Sequence, residues 1–125
     1  MEERVRVFAY GTLMEGEANH RVAAPYLLDV APGAVRGRLV NVGDYPALLP
    51  DEDGIVQGQW LTIRATGLHA LDLLEGYEGP DGPNDYEREW IRDANGDAEG
   101  WAYVWRDSRG MPYIPSGDWL RRHER

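Results

Sequence analysis

Apolar and polar positions alternate from Arg4 to Tyr10, and this period of two predicts a strand. The alternation stops at Gly11-Thr12-Leu13. A short helix is expected within residues 17–26, EANHRVAAPY, interrupted by Pro25. Residues 27–42 hold Gly33, Gly37 and several branched side chains, and read as extended chain, strongly bent or bulged. Tyr45-Pro46-Ala47-Leu48-Leu49-Pro50 is bracketed by prolines and reads as a loop or an edge segment. Asp51-Glu52-Asp53-Gly54 is a turn, and Ile55 to Ile63 is a strand. The period then changes. Leu68, Leu71 and Leu74 recur three apart with Ala70 and Leu73 alongside, which predicts a helix over 66–74 with Thr66 as N-cap and Gly76 as the C′ residue. Glu78 to Asp85, EGPDGPND, is a loop on composition. Tyr86 to Arg92 and Gly100 to Arg106 are strands, joined through Asn95-Gly96, a strong hairpin signal. The tail from Gly110 to Arg125 holds two prolines, then the apolar-basic end Trp119-Leu120-Arg121-Arg122.

Strands first and last with a helix between them predict an α+β chain, one domain over residues 1–125, with a mixed or antiparallel sheet. Glycines scattered through the strands suggest that the sheet curls, giving a small mixed β-barrel with a few short helices.

Composition removes several function classes. The 125 residues contain no cysteine, so disulfides, thiolate nucleophiles and thiolate metal sites drop out. All thirteen basic residues are arginine, which excludes lysine Schiff-base chemistry and a phosphate-loop lysine. The net charge of −9 argues against nucleic acid as a partner. No apolar run approaches the roughly 18 residues of a membrane span. The start Met1-Glu2-Glu3-Arg4 is acidic and no apolar stretch follows it, so a cytoplasmic protein is expected. The two serines, Ser108 and Ser116, sit in no nucleophile elbow, and the three histidines have no metal-ligand spacing. Asp51 to Gly54 and Asp93 to Asp97 lack the glycine and closing glutamate of a calcium loop. No metal site is expected, and no motif sets an oligomeric state.

Two stretches carry candidate chemistry. At Tyr10-Gly11-Thr12-Leu13 a strand ends in glycine and a hydroxyl residue. Successive N–H groups leaving a sheet ladder can converge into a nest for a carboxylate or phosphate, and glycine permits the bend and a close ligand. The same four residues also read as a plain turn into a helix with Thr12 as a local cap. In Leu71-Asp72-Leu73-Leu74-Glu75-Gly76-Tyr77, Glu75 falls on the last helical turn. The negative end of the helix dipole and Asp72, a like charge one turn back, would both raise its pKa. A general base for neutral pH needs that direction, and Leu74 and Tyr77 would dry the site. A solvated acid at a helix end is the other reading.

Taken together, FAYGTL after the first strand, LDLLEGY in the helix and Tyr86-Glu87-Arg88 opening a later strand resemble the γ-glutamylcyclotransferase-like family. The small bacterial and plant members, often called avirulence-induced-gene-like, are most similar. Asn19-His20, Tyr45-Pro46-Ala47, the strand from Gly100 and Ser116-Gly117-Asp118-Trp119 extend the resemblance nearly end to end. It implies a small mixed α/β barrel with a cavity at one end. The activity it implies is cyclisation of a γ-glutamyl amine or γ-glutamyl amino acid to 5-oxoproline with release of the amine. Glu75 would be the catalytic acid/base. Tyr10, Gly11, Thr12 and Leu13 would hold the glutamyl group, and Tyr86 would line the site. The substrate supplies its own nucleophile, so no metal or cofactor is implied. The long acidic loop suggests that Glu78, Asp81 and Asp85 favour a cationic leaving amine. Two alternatives stand beside this reading: a binding module of the same fold for a small carboxylate, and an interaction surface on the aromatic, arginine-bearing tail from Trp101.

Overall fold

The computed structural model describes residues 3–51 and 53–123. Met1, Glu2, Glu52 of the expected turn, and residues 124–125 of the expected tail lie outside them. In chain order the elements are β1 (Arg4–Ala9), α1 (His20–Ala23), β2 (Leu27–Arg36), β3 (Arg38–Asn41), β4 (Pro46–Leu49), β5 (Ile55–Arg64), α2 (Leu68–Glu75), β6 (Glu87–Arg92), β7 (Glu99–Val104) and β8 (Tyr113–Ile114). Short 3₁₀ turns follow α1 at Ala24–Tyr26, precede α2 at Ala65–Gly67, and occupy Trp119–Arg121. Among the described residues no helix is long and apolar enough to cross a membrane.

The strands form one curled mixed sheet in the order β2-β5-β1-β7-β4-β3-β8, with β6 also paired to β7. This is the expected α+β class with a few short helices, built as a half-barrel. The order has a consequence at β7. β6 takes one edge of β7 along its whole length, from Glu87 opposite Val104 to Arg92 opposite Glu99. Two parallel neighbours must therefore share the other edge. β1 meets it at Trp101 through Val7, and β4 meets it at Val104 through Leu48. β1 leaves before β4 arrives, so the sheet splits between the end of β1 and the start of β4.

Tyr10 plugs the split. Its buried hydroxyl donates to the Tyr103 carbonyl at 2.5 Å and accepts from the Leu48 N–H at 3.2 Å. One side chain thus supplies the ladder contacts that two backbones no longer give each other. The core closes around this seam with Val7, Phe8, Leu39, Leu48, Leu61, Ile63, Leu71 and Val104 at or near zero exposure.

Several expectations need correction. Residues 45–50 hold a central strand, β4, paired to β3 and to β7, where a loop or edge segment was expected. Pro46 is tolerated because it is the first strand residue, where a missing N–H is least harmful. The bent segment 27–42 is two strands meeting at Gly37. Thr66 does not cap α2: it lies inside the preceding 3₁₀ turn, and the helix starts at Leu68 with no side-chain cap. The helix end is as expected. Gly76 has φ of 67°, and the Tyr77 N–H reaches back to the Asp72 carbonyl at 2.9 Å, a Schellman-type stop. The Asn95-Gly96 hairpin joins β6 to β7. Two of the three tryptophans of the aromatic tail, Trp105 and Trp119, are buried in the core and offer no free surface, whereas Trp101 is half-buried.

Candidate active site

A cavity of about 310 Å³ opens at the seam between β1 and β4. All six site residues expected from the sequence line it: Tyr10, Gly11, Thr12 and Leu13 just after β1, Glu75 from the end of α2, and Tyr86 just before β6.

The loop after β1 keeps the turn of one reading of its sequence and the free amides of the other, without the Thr12 cap. It is a turn, with the Met14 N–H donating to the Gly11 carbonyl at 3.1 Å. Its other carbonyls are also taken. Thr12 O accepts from the Asn19 N–H at 2.8 Å, and Leu13 O meets Nδ1 of His20 at 2.8 Å. The Thr12 hydroxyl accepts from the Asn19 side-chain amide at 2.9 Å, so Thr12 caps no helix. Among the described residues, the N–H groups of Gly11, Thr12 and Leu13 have no acceptor within the protein. A loop whose carbonyls are bound and whose amides are free can offer partial positive charge to a ligand without a basic side chain. The need for glycine differs from the expected one. A Cβ on Gly11 would sit 2.6 Å from the Pro46 ring, so the glycine lets β4 approach, and its φ is not in the left-handed region.

Tyr86 fixes the other side of that contact. Its buried hydroxyl donates to the Pro46 carbonyl at 2.8 Å, and its ring lies 5.8 Å from Trp105 and 6.3 Å from Tyr45. The Tyr10 side chain points into the seam, so this residue borders the cavity with its hydroxyl already in use.

Glu75 is partly buried, and burial pushes its carboxyl pKa up to about 7. The expected cause was different. Asp72 contributes no like-charge push, because its carboxylate is occupied elsewhere. Arg88 Nη1 donates to both of its oxygens, at 2.8 and 2.6 Å, and the Tyr103 hydroxyl donates to one of them at 2.7 Å. Arg88 itself lies between the rings of Tyr77 and Trp101, at 4.8 and 4.7 Å. Desolvation alone therefore keeps Glu75 reluctant to ionise. The Tyr86 hydroxyl registers the same cavity charges. Burial and then Glu75 raise its pKa, while Arg109 acts in the opposite direction.

Sequence reasoning missed Trp105 and Arg109, which also line the cavity. The period of two through Tyr103 and Trp105 could have placed both on one strand face. Arg109 has no comparable signal. The acidic loop contributes less than expected. Asp85 borders the cavity, Glu78 borders a separate groove beside Tyr77 and Arg88, and Asp81 is exposed and lines neither.

This arrangement can bind a small anion by its carboxylate at the free amides and move a proton at Glu75. The family described as Gamma-glutamyl cyclotransferase, AIG2-like matches residues 7–121. A gamma-L-glutamyl-butirosin B gamma-glutamyl cyclotransferase from Niallia circulans is 37% identical over 103 residues, which cover 79% of this chain and 65% of that protein. The chain thus spans slightly less than two thirds of that relative. A gamma-glutamylcyclotransferase family protein, ytfP, from Citrobacter rodentium is 31% identical, covering 96% of this chain and 99% of that one. Among solved structures, YkqA from Bacillus subtilis superposes with a TM-score of 0.75 at 22% identity, covering 97% of this chain and 41% of that chain. An AIG2-like protein from Mus musculus gives 0.67 at 26% identity, covering 89% and 86%.

Proposed function

Because this chain belongs to the AIG2-like gamma-glutamyl cyclotransferase family, we propose that it cyclises a γ-glutamyl amine or γ-glutamyl amino acid to 5-oxoproline, with Glu75 as general acid/base. The observation that carries the reading is one cavity with three unpaired amides and a carboxyl of raised pKa on its wall. The amides of Gly11, Thr12 and Leu13 receive the α-carboxylate and so set the direction of the α-amino group. The glutamyl chain folds back, and the α-nitrogen attacks its own γ-carbonyl. Holding both reacting groups in one guest supplies several kcal/mol through orientation.

Proton balance defines the task of Glu75. The attacking nitrogen enters as an ammonium with three protons and leaves as a lactam N–H with one. The departing nitrogen enters as an amide N–H and leaves as an ammonium. Two protons therefore pass from one nitrogen to the other as the new C–N bond forms and the old one breaks. A carboxyl with a pKa of about 7 accepts and returns protons near neutrality with little bias. The chain needs no nucleophile of its own for this chemistry.

The test is a panel of γ-glutamyl amines and amino acids assayed for 5-oxoproline. Glu75→Gln is expected to lower its release by about 100-fold or more while the protein stays folded. In the parent chain kcat/KM is expected to rise with pH and level off above about 7, as Glu75 becomes the free base. Near-full activity in Glu75→Gln would remove Glu75 from the mechanism. Thermal stabilisation by 5-oxoproline, with no product from any compound, would mark a binding module instead.

A further inference from the structure

Arg109 stands out among the cavity-lining residues as a positioned cation without a carboxylate partner. It lies in the turn from Ser108 to Met111, closed by the Met111 N–H on the Ser108 carbonyl at 2.9 Å. Both central residues, Arg109 and Gly110, have positive φ, 50° and 78°. This is the pattern of a type I′ turn, which ordinarily takes Asn-Gly. Arginine in the left-handed region is strained, and the surroundings hold it there. The Asp107 carboxylate accepts from the Arg109 N–H at 2.8 Å.

The guanidinium is fixed on two sides. Its centre lies 3.9 Å from the centroid of the buried Trp105 ring, and Nη2 donates to the Asp85 backbone carbonyl at 2.8 Å. The Asp85 carboxylate does not pair with it. That group packs against the end of α2, where a Cβ on Gly76 would meet its Oδ2 at 2.6 Å. Arg38, Arg88, Arg92 and Arg106 all form ion pairs with acids, yet among the described residues Arg109 has no ion pair, in a chain of net charge −9. The rest of its planar fork is free, a shape that matches a carboxylate in two parallel hydrogen bonds.

We propose that Arg109 is a specificity-determining residue that receives a carboxylate on the leaving amine, so that the preferred substrates are γ-glutamyl α-amino acids. This rests on the cyclotransferase reading, in which the glutamyl α-carboxylate belongs to the amides of Gly11 to Leu13. A second carboxylate site then falls to the other half of the substrate. It reverses the expectation of a cationic leaving amine, because the acidic loop turns Glu78 and Asp81 away from the cavity.

The experiment compares γ-glutamyl-alanine, γ-glutamyl-ethylamide and γ-glutamyl-putrescine by calorimetry on Glu75→Gln protein, with and without Arg109→Gln. The alanine compound is expected to bind at least tenfold more tightly than the ethylamide, and Arg109→Gln to bring that ratio close to one. Arg109→Lys is expected to recover part of the ratio, and added salt to erode that part. Equal binding of alanine compound and ethylamide would overturn the proposal. So would tighter binding of the putrescine compound, a ratio that survives Arg109→Gln, or no binding by any of the three. A ratio that collapses as expected, with no 5-oxoproline from the parent chain, would keep Arg109 as a carboxylate site and remove the cyclisation.

Discussion

Asp72 and Glu75 stand three residues apart on α2 and meet opposite environments. Asp72 borders a separate groove, where Arg88 and Tyr103 give its carboxylate three hydrogen bonds. Glu75 borders the cavity, with its pKa raised by burial alone. Both acids share one helix end and its dipole, so the dipole does not distinguish them. Partners do. An acid given a guanidinium serves as an anchor for the helix, whereas an acid given none is left chemically poised.

The largest stability effect expected from this contrast lies at Glu75. Its folded pKa is about 7 against an ordinary 4.5. Between those values the folded chain keeps a proton that the unfolded chain has released, so stability falls as pH rises through that window and stays lower above it. Glu75→Gln removes the penalty. In urea titrations it should be more stable than the parent by about 3 kcal/mol at pH 8 and equal to it at pH 4. A parent chain with the same stability at pH 5 and pH 8 would mean that Glu75 is solvated and would erase the contrast.

Asp72 should answer in the opposite sense. Both side chains of its ion pair are 18% exposed, so the pair is largely desolvated. Arg88→Met strands the carboxylate and should lower stability by about 2 kcal/mol. Adding Asp72→Asn should recover part of that loss, because the stranded charge is gone. A neutral Arg88→Met would show that water already serves Asp72. Tyr86→Phe supplies the uncharged control. Losing its bond to the Pro46 carbonyl should lower stability by about 1 kcal/mol, read as a shift in the urea midpoint, with the same value at pH 5 and pH 8. A pH-dependent loss would tie Tyr86 to the ionisation of Glu75 rather than to the strand it pins.

What could be read from the sequence was what local chain chemistry decides. Asn95-Gly96 announced a hairpin, Gly76 a helix stop, and Tyr10 to Leu13 a loop able to free its amides. These depend on a few consecutive residues. The failures depend on distant ones. The neutraliser of Asp72 is Arg88, sixteen positions on, so the source of the Glu75 shift was misassigned although its direction was right. The need for glycine at position 11 comes from Pro46, thirty-five positions away. β4 reads as a loop or an edge segment because prolines bracket it, while β7, the strand that takes it into the sheet on the side away from neighbouring β3, comes from much later in the chain. Arg109 was invisible because its place depends on a turn strained against the rule for such turns.

The shared edge of β7 has one more consequence. The hollow arises from a dislocation in strand pairing, not from undersized residues around it. Swapping wall side chains will reshape such a void but cannot heal it, since healing would require two parallel neighbours to occupy the same ladder rungs. A scaffold of this kind keeps its vacancy through extensive redecoration, which leaves room for new guests to be accommodated without refolding the frame.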